Sequence, residues 1–291
     1  MMKSISDPIR RGRVIRSIKN TVTSDLDLTR EVEYARKAAL AAGEILMRYY
    51  GTQYEIGSKG KNNPVTIADT EADAAIKSIL THAFPDYGWL SEETVDNEDR
   101  LAKQRVWIVD PLDGTKEFIN QVPEFCVAIG LSDNGEPVVG VTYNPITQEM
   151  WWSARGMGCH LGQHRVHVTR TRMLHRASVL ASRSETARGE WEVFHGILKA
   201  VPTGSVAYKL AMVAGGKADA TFTRSPKNEW DIASGAALII EAGGKMTDID
   251  GNPMTLNKKI TKCAGLIASN GLLHDQLMKV APHHSRITAK K

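Results

Sequence analysis

The chain has 291 residues, of which 42% are apolar and 24% charged, with a formal net charge of +4. This balance argues against bulk disorder, and no apolar run approaches the ~20 residues that a bilayer-spanning helix needs. The start of the chain lacks the apolar stretch of a signal peptide. Cys126, Cys159 and Cys263 are widely spaced with no metal or CxxC pattern, so a cytoplasmic protein with buried, reduced thiols is expected.

Residues 1–27 hold Arg10-Arg11-Gly12-Arg13, Arg16 and Lys19 without interleaved aromatics. This predicts a solvated, flexible basic extension rather than an arm for a nucleic-acid polymer. Over residues 28–50, Val32, Ala35, Ala39, Ala42, Ile45, Leu46 and Tyr49 share one helical face, with Asp27 or Thr29 as cap and Gly51 as terminator. Residues 59–64 are rich in breakers and read as a loop. A helix over 70–84 follows Asp69. Residues 86–90 read as a turn and a short strand leading into Ser91-Glu92-Glu93-Thr94. The apolar run 106–109 is a buried strand that delivers Asp110, and Pro111 is expected to end its ladder. Gly114-Thr115 would open a short helix over 116–121.

Asp133-Asn134-Gly135 joins strands over 125–131 and 137–143, a hairpin signal. A second strand pair, 149–154 and 159–161, surrounds Gly156-Met157-Gly158. The second half alternates: strand 178–182, helices 190–201 and 205–214, strand 219–223, a helix over 232–241 ended by Gly243-Gly244, and strand 266–269. The expected organisation is a basic extension (1–27), an α+β half (28–172), an α/β half (173–282) and a polar tail (283–291), with the site between the halves.

The chemistry concentrates in Trp107 to Phe118. Asp110 and Asp113 lie on one turn beside Thr115, with Gly114 allowing close approach of an anion, a pattern that suits a hard divalent cation and a phosphate. Glu92-Glu93, Trp230-Asp231 and Asp69 supply further carboxylates. The residues alone also allow a plain turn at Asp110–Asp113, helix N-caps at Asp69 and Asp231, and a solvated loop at Glu92-Glu93. His160, His164 and His167 lack the spacing of a compact zinc site and are expected on a solvated surface.

In order and local context, Glu92-Glu93, Asp110-Pro-Leu-Asp-Gly-Thr115 and Trp230-Asp231 resemble the motifs of the inositol monophosphatase family, Mg2+-dependent, lithium-sensitive phosphomonoesterases. The resemblance runs from about residue 28 to about residue 280. It implies an α/β (α+β) fold with α-β-α-β-α layers. It implies two or three Mg2+ ions held by Glu92, Asp110, the Leu112 carbonyl, Asp113 and Asp231. Asp69 and Thr115 would orient or deprotonate the attacking water, and Gly114 and Thr115 would offer backbone N–H groups to the phosphate. Ser91 departs from the family, which usually has Gly before Glu-Glu.

Lys116-Glu117-Phe118 and Lys209 resemble the branch that acts on 3′-phosphoadenosine 5′-phosphate, the 3′(2′),5′-bisphosphate nucleotidases. Arg224 stands where an inositol phosphatase usually has Glu, and a guanidinium favours a second anion over a neutral polyol. Lys116, Ser205, Lys209 and Arg224 are therefore expected to bind substrate beside Gly114 and Thr115. The alternatives are inositol monophosphatase, another sugar or histidinol phosphatase, or a non-catalytic regulator that binds metal and nucleotide. The partners expected are a small phosphorylated substrate, no membrane and no nucleic-acid polymer, and a homodimer is among the assemblies allowed.

Overall fold

The structure, a computed structural model, describes residues 27–53, 55–58 and 64–281. The basic extension before Asp27, most of the breaker-rich loop and the polar tail lie outside the described residues. Helix α1 (Thr29–Tyr49) turns Val32, Ala35, Ala38, Ala39, Ala42 and Leu46 inward. Leu28 holds its N-cap position, while Asp27 Oδ1 accepts from the Thr29 N–H at 3.0 Å. An antiparallel ribbon of β1 (Ile56–Ser58) and β2 (Pro64–Thr66) leads to α2 (Ile67–Ala83), which lies against α1.

These helices cover one face of a seven-stranded sheet. Its strands, in spatial order, are β3 (Gly88–Ser91), β4 (Arg105–Asp113), β5 (Cys126–Asp133), β6 (Glu136–Asn144), β7 (Glu149–Ala154), β8 (Gly158–Leu161) and β9 (His164–Val166). Only β3 and β4 run parallel. Asn134 and Gly135, with φ of 51° and 84°, make the tight β5–β6 turn that the sequence foretells. Pro111 does not end β4. The register shifts between Asp110 and Asp113, and this bulge takes the proline, which has no N–H to give, out of the ladder before Asp113 pairs with Cys126. The following helix α3 spans Thr115–Ile119, one residue earlier at its start than expected.

The second sheet has strand order β11-β10-β12-β16-β14. In chain order come β10 (Ser178–Ser182), α4 (Arg183–Ala187), β11 (Lys199–Thr203), α5 (Val206–Ala214), β12 (Ala220–Thr223), β13 (Lys227–Asn228), α6 (Glu229–Glu241), β14 (Lys245–Asp248), β15 (Lys262–Cys263), β16 (Leu266–Ser269) and α7 (His274–Val280). The helix expected over 190–201 is absent. A single 3-10 turn, Glu192–Phe194, is followed by Gly196 at φ +79°, and the chain then enters β11, parallel to β10. The apolar residues that mimic a helical face instead form an aromatic cluster on the outside of the second sheet, with Trp191 and Phe194 each about 5 Å from Phe222.

Helices α5 and α6 fill the space between the sheets, and one apolar cluster runs from Leu90 and Trp151 through Leu210 and Ile232 to Leu180 and Leu266. Leu273 and Leu277, at and within α7, close the outer face of the second sheet. The layering is α-β-α-β-α. Two glycines set the spacing: Gly130 of β5 faces Gly140 of β6 in register. A Cβ on Gly140 would lie 2.2 Å from the Ser234 carbonyl oxygen, and one on Gly130 would lie 2.6 Å from Ala233 Cβ. The sheet thus carries a notch in which α6 sits, which places the first turn of α6 over the end of β4.

All three cysteines are buried and free. His164 and His167 are exposed as expected, but His160 is half-buried and stacks on Trp152 at 4.2 Å between ring centroids.

Candidate active site

Strand β4 carries Asp110, 1% exposed, to the floor of a cleft of about 330 Å³. The bulge folds the chain back so that the Leu112 N–H donates to Asp110 Oδ1 at 3.0 Å. Gly114 follows with φ +102°, and a Cβ there would meet the Glu124 carbonyl oxygen at 3.0 Å. The turn that brings Asp113, Thr115 and Lys116 to the cleft therefore requires glycine.

Asp69 and Asp231 are not N-caps. Each occupies the third position of its helix, in a capping box with Thr66 and Asn228 respectively. Asp69 Oδ2 accepts from the Thr66 N–H at 2.7 Å and the Thr66 hydroxyl at 2.6 Å. Its Oδ1 accepts from Thr115 Oγ1 at 3.3 Å, and the same hydroxyl lies 3.2 Å from the Leu112 carbonyl. Asp231 Oδ2 accepts from the Asn228 N–H at 2.9 Å. The caps fix both carboxylates against the backbone without consuming every lone pair.

Asp113 is tied to the second half of the chain. Its Oδ2 accepts from Ser205 Oγ at 2.6 Å and from the Ala207 N–H at 2.5 Å. Ser205 borders the cleft, but its hydroxyl serves Asp113. One carboxylate oxygen from each of Asp110, Asp113 and Asp231 lies within 4.8 Å of the others. Burial, then Glu92, Asp113 and Asp231, raise the Asp110 carboxyl well above the ordinary range. Burial, then Asp113, push Asp231 up to about 7. Concentrated negative charge of this kind, on hard oxygen donors, is the environment that a divalent cation relieves. Glu92 borders the same cleft on the loop after β3, where its N–H donates to the Val109 carbonyl at 3.2 Å.

The cleft lining also carries the cations Lys116, Arg183, Lys209 and Lys227, along with the acid Glu117. Lys209 is 5% exposed and donates from Nζ to the Ser205 carbonyl at 2.7 Å and the Thr203 carbonyl at 3.3 Å. Burial lowers its pKa to about 8. Arg183 makes a paired contact with Glu124 at 2.6 and 2.7 Å, and Glu124 Oε2 also accepts from the Gly204 N–H at 2.6 Å.

Of the residues expected from sequence, Glu92, Asp110, Leu112, Asp113, Gly114, Thr115, Lys116, Ser205, Lys209 and Asp231 all border the cleft. Asp69 reaches it through Thr115. Arg224 does not border it; its Nη1 is buried without a hydrogen-bond partner among the described residues. The chain instead presents Pro226, Lys227 and Asn228 there. Sequence reasoning also missed Ser182, Arg183 and Ser184, and Thr203 and Gly204. They lie at or just beyond the carboxyl ends of the parallel strands β10 and β11, where α/β sheets gather ligand-binding loops. Reading β11 as helix hid that signal.

The chain is similar to known proteins over most of its length. The sequence profile of the inositol monophosphatase family matches residues 27–286. An inositol-1-monophosphatase of Caulobacter vibrioides is 37% identical over 263 residues, 85% of this chain and 98% of that protein. A fructose-1,6-bisphosphatase/inositol-1-monophosphatase of Aquifex aeolicus is 31% identical, covering 90% of this chain and 98% of that one. Among solved structures, an inositol monophosphatase from Anabaena (Nostoc) sp. PCC 7120 superposes with a TM-score of 0.76 at 32% identity, covering 91% of this chain and 100% of that one.

Proposed function

The chain belongs to the inositol monophosphatase family, a family of phosphatases, and from that premise we propose that it is a Mg2+-dependent phosphomonoesterase for a small substrate carrying a second anionic group, 3′-phosphoadenosine 5′-phosphate being the leading candidate. The observation that carries this reading is the presence, in the lining of one cleft, of the Asp110–Asp113–Asp231 cluster and the lysines Lys209 and Lys227.

Asp110, Asp113 and Asp231, with Glu92 and the Leu112 carbonyl, would hold two or three Mg2+ ions. When bound, these supply Lewis acidity and neutralise the phosphate oxygens. The chain's own groups do the rest. Thr66 locks Asp69 Oδ2, so Oδ1 is presented to Thr115 Oγ1 in one orientation. While donating to Asp69, the Thr115 hydroxyl keeps its lone pairs for an incoming water. A proton leaving that water passes to Thr115 as the Thr115 proton passes to Asp69. Gly114 and Thr115 offer backbone N–H groups to the phosphate. Lys227, which lines the same cleft as Lys116, would receive the second anion, the role expected of Arg224 from sequence. Most of the rate enhancement then comes from placement and fixed charge rather than a covalent intermediate.

A second reading, inositol 1-phosphate as substrate, is favoured by the name of the Caulobacter relative. The test is Mg2+-dependent phosphate release from a panel of 3′-phosphoadenosine 5′-phosphate, inositol 1-phosphate, fructose 1,6-bisphosphate and histidinol phosphate. The proposal expects the highest kcat/KM on the bisphosphate nucleotide. Preference for inositol 1-phosphate selects the second reading. Release from none of them selects the non-catalytic regulator.

A further inference from the structure

Helix α2 holds two buried acids one turn apart, Asp69 and Asp73, which project from the same face. Asp69 serves Thr115. Asp73, 6% exposed, has no place in the chemistry above. Its Oδ1 accepts from the hydroxyl of Ser91, itself 2% exposed, and its Oδ2 accepts from Thr94 Oγ1 at 2.7 Å. Ser91 Oγ also takes the Glu93 N–H at 3.4 Å, and Thr94 Oγ1 takes Trp89 Nε1 at 3.4 Å. Glu92 lies inside this clasp, and its own N–H is bound to β4 at Val109, next to Asp110.

The two acids of α2 therefore reach two different parts of the cleft. One rigid helix sets the distance between the Asp69–Thr115 pair and the segment that bears Glu92. A buried carboxylate with both oxygens engaged is costly to leave half-satisfied, so the clasp closes as a unit. The hydroxyl at position 91 is what this chain has in place of the glycine usual before Glu-Glu, and glycine there would offer Asp73 nothing and loosen the backbone.

We propose that Asp73, acting through the hydroxyls of Ser91 and Thr94, is a positioning residue that holds Glu92 at the cleft in the orientation needed to ligate a divalent cation. The inference rests on the metal-binding reading of the site.

Two readouts separate the failure of one from the failure of the other. Amide hydrogen exchange at residues 92–94 requires no metal. Calorimetric titration of the full chain with Mg2+ requires no turnover. Ser91→Ala should speed exchange at residues 92–94 about tenfold while leaving α1 and the sheets unchanged. It should also weaken Mg2+ binding about tenfold, the usual effect of removing a group that orients a ligand. Ser91→Gly should be at least as severe, and Ser91→Thr, which keeps the hydroxyl, should restore both values. The double variant Ser91→Ala/Asp73→Ala should be no worse than Asp73→Ala alone, because the two residues act through one link. Unchanged exchange in Ser91→Ala overturns the proposal. Faster exchange with unaltered Mg2+ affinity also overturns it, by reducing the clasp to a structural bond. Absence of Mg2+ binding by the unmodified chain would instead bring down the metal-site reading and this inference with it.

Discussion

Ser205 and Asp113 are 92 positions apart in sequence, yet the Ser205 hydroxyl donates to Asp113 Oδ2 at 2.6 Å. This bond joins the bulged end of β4 to the start of α5, so one wall of the cleft is stapled to its floor. The same hydroxyl accepts the Tyr208 N–H at 3.0 Å and so caps α5. Ser205→Ala removes both bonds, one of them to a buried carboxylate. The expected loss is about 2–3 kcal/mol of stability, measurable by urea unfolding. Weaker Mg2+ binding should accompany it, because Asp113 is then freer to turn. A stability within error of the unmodified chain would show that the bond contributes nothing net.

The raised carboxyls make stability depend on pH. Asp231, ordinarily near 3.8, titrates at about 7 when folded. The folded chain therefore binds a proton that the unfolded chain has released across that window. The associated stability is complete below about pH 4 and is lost as pH rises toward 7. Metal-free protein should accordingly show a falling Tm from about pH 5 to 7.5, steeper than in Asp231→Asn. Mg2+ competes for the same oxygens, so adding it should stabilise most at the upper end of the range. Calorimetry at several pH values checks both signs.

Gly140→Ala places a methyl group 2.2 Å from the Ser234 carbonyl, deep in the notch under α6. The helix must shift outward, carrying Asp231 with it. The cost should be at least about 1–3 kcal/mol, the range for overpacking a filled core. Phosphatase activity should fall by more than the fraction unfolded accounts for, because ligand geometry is lost in folded molecules too. Thermal denaturation alongside Mg2+-saturated assays separates the two effects.

Substrate choice should follow Lys227 rather than Arg224. Lys227→Ala is expected to lower kcat/KM about tenfold on 3′-phosphoadenosine 5′-phosphate, the worth of one charge-assisted contact, and hardly at all on adenosine 3′-monophosphate. Arg224→Ala should change the ratio of the two substrates little. Since burial holds the Lys209 pKa at about 8, preference for the bisphosphate should also weaken above that pH as the cleft lining loses a positive charge. Equal losses on both substrates in Lys227→Ala would place Lys227 at the common phosphate instead.

Short-range chemistry made much of this protein legible before any fold was known. The Asp110–Thr115 turn, the Asn134-Gly135 hairpin and the β10 strand are local events, written in glycine, proline and apolar runs that act over a few residues. Glu92, Asp110, Asp113 and Asp231 were legible as a set only through their resemblance to the family's motifs, because each acid taken singly also allows a turn, a helix cap or a solvated loop. Long-range packing decided the rest. Whether residues 190–201 form helix or strand depended on the free edge of β10, which pairs with β11. Whether Arg224 or Lys227 meets the cleft depended on where the chain turns between β12 and α6, where Lys227 pairs with Cys263, 36 positions away, in the β13–β15 ribbon. The Arg183–Glu124 pair and the Asp73–Ser91–Thr94 clasp join residues with no local signal of one another. Sequence determines which groups can do the chemistry; only the closing of two sheets over α5 and α6 determines which of them meet.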